Sequence, residues 1–177
     1  MKYALLAFLS ICAGTAGAQQ WRAALPVDSS SGKVLYKGTV DTPGATAEQL
    51  FKRAKSYAHV ATQAPMIEEA TNVVSGPAEK PLKGRILRYE VYIKVRPGGY
   101  SYELSDFQNK TMAVQYANGV GGLSSAPGGQ APIERVLNNP DGYRKGKPTA
   151  ALLSYQQQVA EAAQQAVADL NRAMGAR

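Results

Sequence analysis

From Arg85 to Arg96 apolar and polar positions alternate: Leu87, Tyr89, Val91, Ile93 and Val95 share one parity, while Ile86, Arg88, Glu90, Tyr92, Lys94 and Arg96 take the other. A period of two marks a β-strand with one buried face. After Pro97-Gly98-Gly99 the alternation resumes, with Tyr100, Tyr102 and Leu104 against Ser101, Glu103 and Ser105, so the stretch 85–107 reads as a hairpin. A one-residue slip would swap the faces of one strand relative to its partner, so the register can be argued. A two-residue turn at Gly98-Gly99 sets Val95 opposite Tyr102, Ile93 opposite Leu104 and Lys94 opposite Glu103, all compatible pairs. A three-residue loop would place Tyr102 beside Lys94 and Leu104 beside Tyr92, scattering the apolar set. The Gly-Gly turn is therefore expected, because glycine tolerates its positive φ angles. Pro97 would then withhold one of the closing hydrogen bonds.

Around this hairpin the chain alternates strand and helix patterns. Val34, Tyr36 and Val40 against Leu35, Lys37 and Thr39 predict a first strand, in which Gly38 marks a bulge or the close approach of another element. Thr46 with Gln49 has capping-box spacing, and Leu50, Phe51, Ala54, Tyr57, Ala58 and Ala61 fall within an arc of roughly 100°, so a helix is expected up to Gln63-Ala64-Pro65. Val73 and Val74 are strand candidates that Gly76-Pro77 should stop, leaving 78–83 as a connection. Met112, Val114 and Tyr116 could form one more short strand. The glycine-, serine- and proline-rich segment 118–132 reads as a mobile loop. Ile133 to Leu137 suggests a short helical turn, and Tyr143 to Pro148 a basic connector. A second long helix is predicted from Thr149 to Met174, capped by Thr149, ended by Gly175, and with a wet side suggested by Gln156, Gln157 and Gln158.

The N-terminal composition changes the picture by adding a compartment. Lys2, the apolar run Leu5, Leu6, Phe8, Leu9, Ile11 and the ending Ala16-Gly17-Ala18 make residues 1–18 a secretory signal peptide, with 19–31 as a flexible lead-in. The run is too short for the roughly 20 residues of a membrane-spanning helix. Export to the periplasm or the exterior is expected. Cys12 is the only cysteine and lies in the segment to be removed, where Ile11 before it is too large for a lipid-anchor site, so the mature chain has neither disulfide nor thiolate. The remaining roughly 160 residues suffice for one domain, 32–177.

Resemblance to a known family rests on several runs: Gly32-Lys33-Val34-Leu35-Tyr36-Lys37-Gly38, Pro43-Gly44-Ala45-Thr46, Leu50-Phe51-Lys52-Arg53-Ala54-Lys55, the hairpin from Tyr89 to Phe107, and Pro132-Ile133-Glu134. Together, over residues 32–137, they resemble an uncharacterised family of exported bacterial proteins, a domain of unknown function with a TBP-like fold. The resemblance implies an α+β fold, a curved antiparallel sheet of about four to five strands with two main helices packed on one face. It implies no activity and carries no functional residue over.

Candidate chemistry is sparse. His59 is the sole histidine and sits among lysines on the solvent side of its helix, which leaves no histidine pair for a metal and no G-x-S-x-G turn for a serine hydrolase. No metal or cofactor is expected. Glu68, Glu69, Glu90, Glu103 and Asp106 could in principle supply a general acid and base, but Glu68 and Glu69 would face opposite ways and Glu103 is expected opposite Lys94. The run Gly119 to Ser125 lacks the Lys-Ser/Thr ending of a phosphate loop. The net charge of +7 is spread over helix, strand and loop, as mixed solvated faces would spread it. The outer face of the hairpin stands out instead, with Arg88, Tyr92, Lys94, Arg96 and Phe107 as candidate binding residues, aromatics interleaved with cations. An exported chain makes nucleic acid an unlikely partner, leaving an envelope protein, a glycan or a small ligand. The expected role is a non-catalytic binding or structural module of the cell envelope. Its rivals are a carboxylate-dependent enzyme acting on an envelope polymer and a carrier of a small apolar ligand held between sheet and second helix.

Overall fold

The computed structural model describes residues 25–111 and 129–176, and the backbone of 114–118 and 122–126. The expected signal peptide, Cys12 and the first part of the lead-in lie outside the described residues, as do Met112, 119–121 and 127–128. One antiparallel sheet dominates. Its strands are β1 (Tyr36–Asp41), β2 (Met66–Glu68), β3 (Val73–Leu82), β4 (Arg85–Arg96), β5 (Gly99–Lys110) and β8 (Gln130–Pro132), in the order β1-β5-β4-β3-β2 with β8 also on β5. A separate hairpin joins β6 (Val114–Asn118) to β7 (Gly122–Ala126). The segment expected as a mobile loop at 118–132 therefore contains two strands. Their backbone pairing needs no apolar alternation, which is why composition did not reveal them.

Helices α1 (Ala47–Ala61) and α3 (Ala150–Met174) pack on one face of the sheet, with the short α2 (Ile133–Leu137) beside β5 and β8. At the start of α1, Thr46 and Gln49 form the full capping box. Leu50, Phe51, Ala54, Tyr57 and Ala58 are its buried stripe. Thr149 caps α3, and Gly175 ends it at φ 75°. Leu152, Val159, Ala163, Ala166, Leu170 and Met174 face the sheet as expected, but so does Gln156, only 4% exposed, which narrows the wet side. Polar links fix the helix against the sheet at several points, Lys80 to Asp169 at 2.8 Å and the Tyr100 hydroxyl to Asn171 Oδ1 at 2.7 Å among them.

The domain starts before Gly32. Leu25 is 2% exposed in the core, Val27 bridges Val34, and the Leu35 N–H donates to the Pro26 carbonyl, so the second part of the lead-in is a packed edge. Its turn is held by Asp28, whose carboxylate takes the hydroxyls of Ser30 and Ser31.

Two prolines run against expectation. Gly76-Pro77 does not stop β3, which continues through Pro81 to Leu82 against β4. The Pro77 carbonyl accepts from the Gln63 N–H, so that residue's backbone polar groups point away from β4. Pro81 has the same parity, and neither proline removes a bond from the β3–β4 ladder. Between Arg144 and Lys147 the basic connector is a tight hairpin, β9 (Tyr143–Arg144) with β10 (Lys147–Pro148). Its central residues Lys145 and Gly146 both have positive φ, as a type I′ turn demands.

Candidate functional site

The central hairpin of β4 and β5 forms, in a register two residues away from the expected one. Val95 pairs with Tyr100, Ile93 with Tyr102, Lys94 with Ser101 and Arg96 with Gly99, so Pro97 and Gly98 are the turn. Proline at the first central position with glycine at φ 72° at the second makes a type II arrangement. Pro97 then loses no ladder bond. A shift of two preserves the faces, which is why the core parity was legible while the partners were not. Lys94 and Glu103 do not face one another, and Glu103 sits between Tyr92 and Lys37.

Beyond Ser105 the parity of β5 inverts. Glu90 pairs with Ser105 but Arg88 with Gln108, so β5 carries one extra residue opposite Tyr89. Asp106 absorbs it at φ 48°, a conformation aspartate tolerates better than most side chains. The consequence is that Phe107, expected on the outer face, turns into the core at 1% exposure, stacked on Tyr89 and edge-on to Tyr36. Phe107 is therefore a core residue and leaves the candidate site.

The other four candidates stay on the outer face of β4. Tyr92 is 42% exposed, Lys94 and Arg96 are exposed, and Arg88 is half-buried. The strand registers place Lys37, Glu103, Tyr92, Ser75 and Met66 in one row across the sheet, with Tyr92 in the middle and Met66 exposed at the edge. The next row runs Thr39, Ser101, Lys94, Val73 and Glu68. Both long helices pack on the opposite face.

Charges on this face are interleaved. Arg96 pairs with Asp41, and Lys110 with Glu79 at 3.1 Å. Glu90 lies between Arg88 and Tyr92, and its pKa is raised chiefly by partial burial, against the lowering effect of Arg88. Lys37, Arg88, Lys94, Arg96 and Lys110 are matched by Asp41, Glu68, Glu79, Glu90 and Glu103. The excess positive charge of the chain therefore lies elsewhere.

Open clefts flank the domain among the described residues, and four of them bear on the candidate chemistry. One of about 540 Å³ lies between the Pro26–Ser29 turn, β1 and α3, with Tyr102, Gln164 and Val167 in its wall. A second of about 540 Å³ separates α1 from the end of α3 beside Tyr57 and Val60. A third of about 630 Å³ lies beside Asp41, Thr42 and Arg53, and a fourth of about 250 Å³ beside Arg85, Asp141 and Tyr155. Each of the four contains at most one carboxylate, so none assembles the acidic pair that the enzyme reading requires. Glu69 and Asp106 are instead tied to Lys55 and Lys33 at 3.0 and 2.8 Å. His59 is exposed on α1, and among the described residues no three histidine, cysteine or carboxylate side chains gather as metal ligands. The space between sheet and α3, where a carrier would hold its ligand, is filled by Leu152, Val159, Ala163, Ala166, Leu170 and Met174.

No family model matches the chain, and no curated protein is similar to it. Two solved structures share its fold. A TBP-like protein from Parabacteroides distasonis matches with a TM-score of 0.57 and 16% identity over 86% of this chain and 97% of its own. A DUF4468 family protein from Bacteroides ovatus matches with a TM-score of 0.56 and 16% identity over 87% of this chain and 92% of its own. The chain has a TBP-like α+β fold, as the resemblance of its strand and turn motifs implied.

Proposed function

We propose that this chain is an exported, non-catalytic binding module of the bacterial cell envelope, and that the helix-free outer face of its sheet is the binding surface. The observation that carries this reading is Tyr92, 42% exposed at the centre of that face with Lys94 and Arg88 on the same strand. A half-exposed tyrosine offers a flat apolar ring and a hydroxyl at little cost in side-chain entropy, a combination common at recognition surfaces. Matched cations and carboxylates on the face favour a neutral or mixed-charge partner, an envelope glycan or protein, over a polyanion. Ser75 and Ser101 flank Tyr92 and Lys94 across the sheet and are small enough to let a partner reach the ring.

Photo-crosslinking from single positions in the native envelope tests this. A photoreactive residue at Ser75 or Ser101 is expected to give a discrete crosslinked adduct, while the same residue at Val60 on the helical side gives none. An adduct from Val60 alone, or none from any position, would reject the outer face as the binding surface.

A further inference from the structure

The basic hairpin of β9 and β10 carries a second feature, separate from the outer sheet face. In its register Tyr143 pairs with Pro148 and Arg144 with Lys147. Residues directly opposite on an antiparallel ladder point to the same side, and successive residues point to opposite sides. Tyr143 is half-buried against the core, and its hydroxyl donates to the Leu137 carbonyl at 2.9 Å. Arg144 and Lys147 therefore share the side away from the core, and both are exposed. Lys145 is exposed between them, in the turn. The base of the hairpin is tied down as well, by the Thr149 N–H donating to the Gly142 carbonyl at 2.8 Å.

Two choices in this hairpin work against its own stability. Like charges directly opposite on a two-stranded ladder repel, and Arg144 with Lys147 is such a pair. Lys145 takes φ 50° at the first central position of the turn, which asparagine or glycine occupies with less strain than a lysine. Carboxylates do not offset these charges, since neither Arg144 nor Lys145 nor Lys147 is in an ion pair among the described residues. Between Glu134 and Glu161 the sequence sets Asp141 alone against Arg135, Arg144, Lys145 and Lys147. Side chains that break local rules with no folding gain mark a site kept for another purpose. Just beyond the hairpin, Leu153 is 47% exposed in the first turn of α3.

We propose that this hairpin docks the chain on an anionic phospholipid surface, with Arg144, Lys145 and Lys147 among the phosphate head groups and Leu153 at their apolar boundary. A tight turn is a convex tip, which meets a plane of head groups with all its cations at once. Leu153 favours a lipid surface over a soluble polyanion, which has no apolar layer to receive it. Each cation held at such a surface strengthens binding by about fivefold, so the hairpin contributes about a hundredfold. The contact is reversible and is screened by salt. No residue of the outer sheet face takes part, so failure of either proposal leaves the other standing.

Cosedimentation of the purified chain with vesicles is the test, using phosphatidylcholine alone and phosphatidylcholine mixed with phosphatidylglycerol. The neutral vesicles account for any binding through the apolar run from Leu5 to Ile11. Binding to the anionic vesicles is expected to exceed that level and to fall steeply between about 0.01 M and 1 M salt, as the screening length shortens from about 30 to 3 Å. Lys145→Asn removes a charge and relieves the turn, so it should unfold at higher denaturant yet bind about fivefold more weakly. Combining it with Arg144→Gln and Lys147→Gln should weaken binding about a hundredfold, and Leu153→Ser should weaken it several-fold at constant charge. Binding no stronger to anionic than to neutral vesicles, or affinity unchanged in the folded triple variant, would overturn the proposal. Equal affinity for soluble dextran sulfate, with Leu153→Ser unchanged on vesicles, would overturn the lipid surface in favour of an anionic polymer.

Discussion

The ring of Tyr102 lies across the backbone of Gly38 on the neighbouring strand, so close that a Cβ on Gly38 would stand 2.7 Å from the phenol oxygen and 2.8 Å from the ring carbons. Gly38 is the place on the edge strand where an aromatic side chain covers a glycine. Gly38→Ala is expected to push Tyr102 out into the cleft beside Pro26 and to destabilise the chain by about 1–3 kcal/mol through overpacking. Chemical denaturation of Gly38→Ala alone and together with Tyr102→Ala measures it. Partial recovery in the double variant is the expected signature of a steric cause.

Phe107 occupies the core only because Asp106 takes the bulge. Phe107→Ala should cost about 3–5 kcal/mol, the loss of a buried aromatic. Asp106→Gly should be nearly neutral, because glycine accepts the positive φ and an exposed ion pair with Lys33 contributes little. Asp106→Val should cost roughly 1–2 kcal/mol in backbone strain. Equal stability of the glycine and valine variants, read by urea unfolding, would mean that the bulge does not form.

The core parity of β4, the amphipathic stripes of both long helices and their caps were legible because each follows from a local period or a local hydrogen bond. Thr46 with Gln49, and Thr149 with Gly175, are such cases. Phe107 was not legible. Alternation counts residues, and the single extra residue at Asp106 inverts the count with no glycine to mark it. Pro77 misled for the converse reason: proline forbids a ladder bond only on the side where its nitrogen points, and that side is decided by the neighbouring chain at Gln63.

Acid should weaken the fold through two carboxylates. Hydrogen bonds from Ser30 and Ser31 hold Asp28 down at about 2 from 3.8, and the hydrogen bond from Lys80 lowers Asp169. A depressed folded-state pKa contributes stability that is present above the unfolded value and is lost as pH falls toward the folded one. The window for Asp28 is therefore from about 4 down to about 2. Unfolding midpoints between pH 5 and pH 2 should fall less steeply in Asp28→Asn and Asp169→Asn than in the unmodified chain.

At high pH the buried tyrosines act in the same direction. Burial pushes Tyr57, Tyr100 and Tyr155 up to about 12, above the 10 of an exposed phenol. A raised folded-state pKa gives stability that is complete below the unfolded value and disappears as pH climbs through the folded one. Ultraviolet titration should show these groups ionising only together with unfolding, between about pH 10 and 12. Smooth ionisation near pH 10 in the folded chain would contradict their burial.

Retention on the isolated envelope fraction tests the outer face most directly, comparing the unmodified chain with Tyr92→Ala and with Val60→Ala on the helical side. The binding-module account predicts that Tyr92→Ala lowers retention about tenfold or more, as truncation of an aromatic anchor at an interface centre does, while Val60→Ala leaves it unchanged. Equal retention of all three, with Tyr92→Ala folded, would contradict it.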